Sequence, residues 1–156
     1  MNNDSSTKLY LDDITVGMKF KSPSVTVSEA DIIAFGKQFD PQPFHTDPVA
    51  AVTSMFNGLC ASGWHTAALT MRLFVTSELQ IAGGMIGAGI EVLEWPKPVR
   101  PGDTLHADIE VISVRESKTR PGQGLVTVRT LTINQHGEVV QNLQPKVVVR
   151  KRPVEA

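Results

Sequence analysis

Apolar and polar positions alternate most regularly in the second half of the chain, where Leu105, Ala107, Ile109 and Val111 are interleaved with His106, Asp108 and Glu110. A period of two is that of a strand with one buried face. Val126 to Ile133 and Val139 to Val149 are further strand candidates, joined by the turn-prone His136-Gly137. Gly83-Gly84, Gly87 and Gly89 lead into another, Ile90-Glu91-Val92-Leu93-Glu94-Trp95. A rigid turn is expected over Pro96 to Gly102, with Pro101-Gly102 at the centre of a type II turn. Pro145 interrupts the last run and implies a sheet edge or a bulge.

The first half reads differently. After a short strand candidate near Met18 to Val27, Ser28 opens a helix with Asp31 three residues on, and Ile32, Phe35, Gly36 and Phe39 recur at helical spacing. Asp40-Pro41 ends it, and Pro43 repeats the constraint, so residues 40 to 46 are expected to form a stiff loop. Asp47-Pro48 begins a short helix to Val52. The longest helix opens at Ser62-Gly63 and runs through Trp64, Ala67, Leu69, Met71 and Phe74 to about Leu79. It is apolar nearly all round, which predicts a helix wrapped by the rest of the domain.

One buried helix early and a run of strands late, with connections too short for parallel crossovers, predict an α+β fold in which an antiparallel sheet curls around a central helix. Residues 1–8 read as a flexible tail and residues 9–152 as a single domain. The 156 residues suffice for a core without disulfides. Fifteen Lys and Arg against 16 Asp and Glu leave a net charge of -1, which gives no field to attract nucleic acid or anionic lipid. No apolar stretch approaches the ~20 residues that span a bilayer. Cys60 is the only cysteine, so neither an intrachain disulfide nor a Cys-based metal site is expected, and a cytoplasmic setting fits best.

Candidate chemistry gathers at two places. In Asp40-Pro41-Gln42-Pro43-Phe44-His45, a carboxylate and an imidazole flank two prolines, and such a pair can share and activate a water. An ordinary Asp-Pro turn beside an unrelated His would have the same spacing. Ser62-Gly63 lies where the long helix starts, and the free N–H groups there attract a carbonyl oxygen that gains negative charge.

The run from Val27 to Ile32, through Asp40 to Pro48, to Ala61-Ser62-Gly63-Trp64-His65, resembles the MaoC-like dehydratase family, which includes (R)-specific enoyl-CoA hydratases. Pro98-Val99-Arg100-Pro101-Gly102-Asp103-Thr104-Leu105 resembles a later turn and strand of those proteins. The resemblance implies a hot-dog fold and a catalytic dyad at Asp40 and His45. It also implies an oxyanion donor at the backbone N–H of Gly63, with Ser62, Phe44 and Trp64 near the substrate. The implied reaction is reversible syn addition of water to a trans-2-enoyl-CoA in fatty acid metabolism. It needs no metal and no cofactor beyond the coenzyme A of the substrate. A homodimer or higher homo-oligomer with the acyl tunnel near the interface is implied as well. Phe39, Gln42 and Phe44 depart from the common Gly-Asp-x-Asn-Pro-aliphatic-His pattern of such hydratases and imply a bulkier pocket wall.

Two other functions share these features: an acyl-CoA thioesterase and a non-catalytic acyl-CoA binding module. A thioesterase of this architecture generally needs a carboxylate on the central helix, and from Ser62 to Leu79 only Glu78 is acidic. A pure binder has no need of both Asp40 and His45. His65 is expected to satisfy a polar contact near the helix start, Met71 and Phe74 to pack in the core, and Arg100, Lys118, Arg120 and Arg150-Lys151-Arg152 to be solvated charge.

Overall fold

The computed structural model describes residues 7–155. The alternating segment forms β4 (Thr104–Glu116), which pairs antiparallel with β5 (Gln123–Ile133), and β5 in turn with β6 (Val139–Arg150). β1 (Lys19–Lys21) and β2 (Val25–Thr26) both lie along β4, and β3 (Ile86–Glu94) closes the other edge beside β6. The buried face is the one the period of two selects: Leu105, Ala107, Ile109 and Val111 point inward, opposite Val126 and Val128.

Among the described residues, four α-helices lie between β2 and β3 in the chain. Ser28 caps α1 (Glu29–Phe39), its Oγ accepting from the Asp31 N–H. α2 (Pro43–Thr46) and α3 (Pro48–Ala51) are single turns, and α4 (Gly63–Val75) lies against the concave face of the sheet. This is the hot-dog arrangement expected from the sequence.

Several local expectations are corrected. The strand near Met18 to Val27 is two strands, because Pro23 sits between them and Ser22 Oγ takes the Ala107 N–H instead. Residues 40 to 46 are not all loop: Pro43 stands at the first position of α2, where its missing N–H costs nothing. α4 stops at Val75, short of Leu79, because Ser77 Oγ donates to Phe74 O and accepts from the Leu79 N–H, an alternative to further helix. Nor is α4 buried all round. His65, Thr66, Thr70, Leu73 and Phe74 are buried, whereas Trp64, Met71 and Val75 face outward. Met71 is therefore not a core residue, although Phe74 is.

β3 begins four residues before Ile90, running through Gly87 and Gly89. β6 is flanked on both sides, so Pro145 is not at an edge; it lies where the β3 ladder shifts register between Ile90 and Val92. The Pro101-Gly102 turn forms as expected, with Gly102 at φ +86° and the Asp103 N–H bonded to Arg100 O. Among the described residues, no helix is long and apolar enough to cross a membrane.

Candidate active site

The segment after α1 carries Asp40 to one side of the N-terminus of α4. Gly36 makes the approach possible: a Cβ there would sit 2.6 Å from His45 O, so α1 and α2 can pack only with glycine at this point. His45 is buried, and its Nδ1 lies 2.7 Å from Cys60 O. A carbonyl oxygen only accepts, so Nδ1 carries the hydrogen and, in the neutral ring, Nε2 is left as an acceptor. That Nε2 faces Asp40 Oδ2 at 3.4 Å, too far for a strong direct bond and open to a bridging water.

Asp40 is held from both sides. Ser62 Oγ donates to Oδ2 at 2.7 Å, and Gln42 Nε2 donates to Oδ1 at 2.6 Å. Burial pushes the Asp40 carboxyl up, but the Ser62 and Gln42 hydrogen bonds and nearby His45 outweigh it, and the group lies below its ordinary value. It is an ionised acceptor at neutral pH.

Asp40, His45 and Gly63 line one cleft of about 440 Å³, with Phe56, Cys60, Thr66 and Trp95 among the other walls. Ser62 caps α4 by accepting from the Trp64 N–H, and Gly63 supplies the first N–H of the helix at the cleft. A Cβ on Gly63 would be 2.6 Å from Trp95 Cε2, so the Trp95 ring lies directly on this glycine. Trp64 lines the same cleft and meets Trp95 edge to face, 5.6 Å between centroids.

Phe44 does not line the cleft. It packs behind His45, edge-on at 4.6 Å between ring centroids, and against Phe56. His65 does not make the expected polar contact through Nδ1, which has no partner among the described residues; its ring stacks on Phe35 at 4.7 Å. Burial holds its pKa below the ordinary histidine value against the opposing influence of Asp31. Glu78 accepts from the Lys21 N–H beyond the end of α4 and is no part of the cleft.

Five contributors escape sequence reasoning. Cys60 acts through a backbone carbonyl, which leaves no trace in residue type. Gln42 stands out only as a departure from the hydratase pattern, yet it is a second hydrogen-bond donor to Asp40. Phe56 is carried by a strained turn, Asn57 at φ +54° and Gly58 at φ +148°, whose carbonyls are gathered by Arg100. Arg100 is thus a clamp rather than solvated charge. Trp95 lies in a strand-like pattern that gives no hint of its place on Gly63.

A family model for the MaoC like domain matches residues 13–134. The chain belongs to this family. The MaoC-like dehydratase from Rhodospirillum rubrum is 55% identical, with a TM-score of 0.90, covering 94% of this chain and 99% of that one. The (R)-hydratase from A. caviae involved in PHA biosynthesis is 28% identical, with a TM-score of 0.70, over 90% of this chain and 98% of that one. The protein YdeM of Bacillus subtilis (strain 168) is 35% identical over 145 residues, 92% of this chain and all of the other. The dehydratase and hydratase among these MaoC-like relatives share the hot-dog architecture described above.

Proposed function

We propose that this protein is a hydro-lyase that adds water reversibly and on one face to a trans-2-enoyl-CoA. The observation that carries this reading is the convergence of two acceptors, Asp40 and His45 Nε2, beside a helix N-terminus at Gly63. A water in that position donates one hydrogen to each acceptor and turns a lone pair toward the substrate. Family membership and the likeness to an (R)-hydratase support the same class.

In the proposed reaction the water oxygen bonds to the β-carbon and gives its proton to His45 Nε2. The π pair moves onto the thioester oxygen, which the Gly63 N–H stabilises. The enolate collapses and takes that proton at the α-carbon, so one water is consumed and the histidine is restored. Asp40 holds the water and offsets the charge of the imidazolium. Cys60 is a buried free thiol whose pKa burial pushes above its ordinary value, so it takes no part in the proposed reaction as a nucleophile.

A homodimer completes the proposal. Ile86 and Ile90 on edge strand β3 and Met71 and Val75 on α4 are exposed, and an apolar hollow of about 320 Å³ lies between these elements. Pairing two β3 strands would cover them. Purified protein incubated with trans-2-butenoyl-CoA and longer homologues should lose the conjugated-thioester absorbance and yield the (R)-3-hydroxyacyl product. No absorbance change with any of them, by folded protein, would contradict the reading.

A further inference from the structure

Beneath the cleft, three fully buried polar side chains form a connected chain: Thr132, Thr70 and Gln141, each 0% exposed. Thr70 Oγ1 donates to Thr66 O at 2.8 Å, which uses its only hydrogen. Thr132 Oγ1, 2.7 Å away, must therefore donate to it, and Gln141 Nε2 donates to it at 2.9 Å. Both lone pairs of Thr70 are then taken. The far end of the amide is equally determined: Trp95 Nε1 can only donate, and it does so to Gln141 Oε1 at 2.8 Å.

Stability does not require this chain. Trp95 is 41% exposed, so water could satisfy its indole, and an apolar side chain at position 141 paired with apolar partners would cost little. What the chain supplies is direction. Gln141 is anchored on one side to the middle of α4 and on the other to the ring that lies on Gly63, at the start of the same helix.

We infer that Gln141 is a positioning residue for the reaction at Asp40, His45 and Gly63, fixing through the Trp95 indole the cleft wall that rests on Gly63. The inference builds on the hydratase reading. A Trp95 ring free to turn would crowd the Gly63 N–H or admit loose water, and the thioester oxygen would lose its seat. Small misplacements of this kind lower turnover more than binding.

The test uses Gln141→Met, Trp95→Phe, which removes the indole N–H together with fused-ring atoms that lie on Gly63, and the double variant, assayed on the trans-2-enoyl-CoA that the wild type turns over fastest. Each single change should lower kcat by about tenfold with KM within about twofold, and the double variant should be no worse than the weaker single. Unchanged kcat in either folded single variant, or multiplied losses in the double, overturns the inference. Should Gln141→Met not fold, Gln141→Asn decides by the same criterion, because it keeps a buried amide but draws it one methylene back from the indole N–H.

Absence of wild-type turnover would count against the hydratase reading alone. The positioning role is then read with butanoyl-CoA, a saturated and unreactive probe. The indole N–H resonance of Trp95 should shift on binding in the wild type and lose that response in Gln141→Met. A response unaffected by the substitution overturns the inference.

Discussion

Ser62 Oγ donates to Asp40 Oδ2 at 2.7 Å, so the residue that caps α4 also holds the carboxylate of the dyad. One hydroxyl thereby ties the N-terminus of α4, where the proposed oxyanion would sit, to the carboxylate proposed to hold the water. Ser62→Ala should remove both functions. Loss of a donor to the carboxylate raises the Asp40 pKa, so the acid limb of the kcat/KM profile should move to higher pH. Loss of the cap should cost about 1 kcal/mol of stability. A pH profile and a denaturant titration check these together; an acid limb that stays in place would contradict the assignment.

Gly63→Ala introduces a methyl 2.6 Å from Trp95 Cε2. The ring must move, and the expected penalty is about 1–3 kcal/mol. Replacing Trp95 with Leu in the same chain should return much of that stability without restoring activity, because the wall over the N–H is then gone. Thermal unfolding of the two single variants and the double variant measures the compensation.

Arg100 gathers the carbonyls of Phe56, Gly58 and Leu59, a turn in which Asn57 and Gly58 hold positive φ. Arg100→Ala strands those acceptors and should cost about 1–3 kcal/mol. Limited proteolysis should then cut within residues 53–60, near Phe56 and the dyad, at a rate the wild type does not show.

His65 is buried with a lowered pKa. The unfolded chain takes up a proton at mildly acidic pH that the folded chain resists. Stability is therefore full above the ordinary histidine value and is lost as pH falls from there toward the folded value. His65→Leu, which keeps contact with Phe35, should flatten the dependence of melting temperature on pH across that window. An unchanged slope would contradict the role given to burial.

The fold was legible in the sequence where one physical signal dominated. The alternation from Leu105 to Val111 identified the central strand, Ser28 and Asp47 marked helix starts by their side-chain oxygens, and Pro101-Gly102 marked its turn. Legibility failed where tertiary context decides. Gly87 and Gly89 belong to an edge strand that no propensity predicts, and Met71 and Val75 are apolar but outward-facing because the sheet covers only one side of α4. Asp40, His45, Ser62 and Gly63, singled out by spacing and resemblance, do come together beside one cleft, and their catalytic roles are what the proposal adds. The carbonyl of Cys60, the ring of Trp95 and the amide of Gln141 could not be singled out, because their roles depend on pairings between residues distant in the chain.

The central claim is that Asp40 and His45 together activate water for addition to an enoyl thioester. Its most direct test is the initial rate of trans-2-enoyl-CoA hydration by wild type, Asp40→Asn and His45→Gln, each verified as folded. Asn at position 40 keeps an acceptor for Ser62 but loses the charge and the second acceptor oxygen, on which Gln42 donates; Gln at position 45 removes the imidazole base. The account predicts measurable hydration by the wild type and a loss of about 100-fold or more in each variant. Equal rates in all three proteins would contradict it.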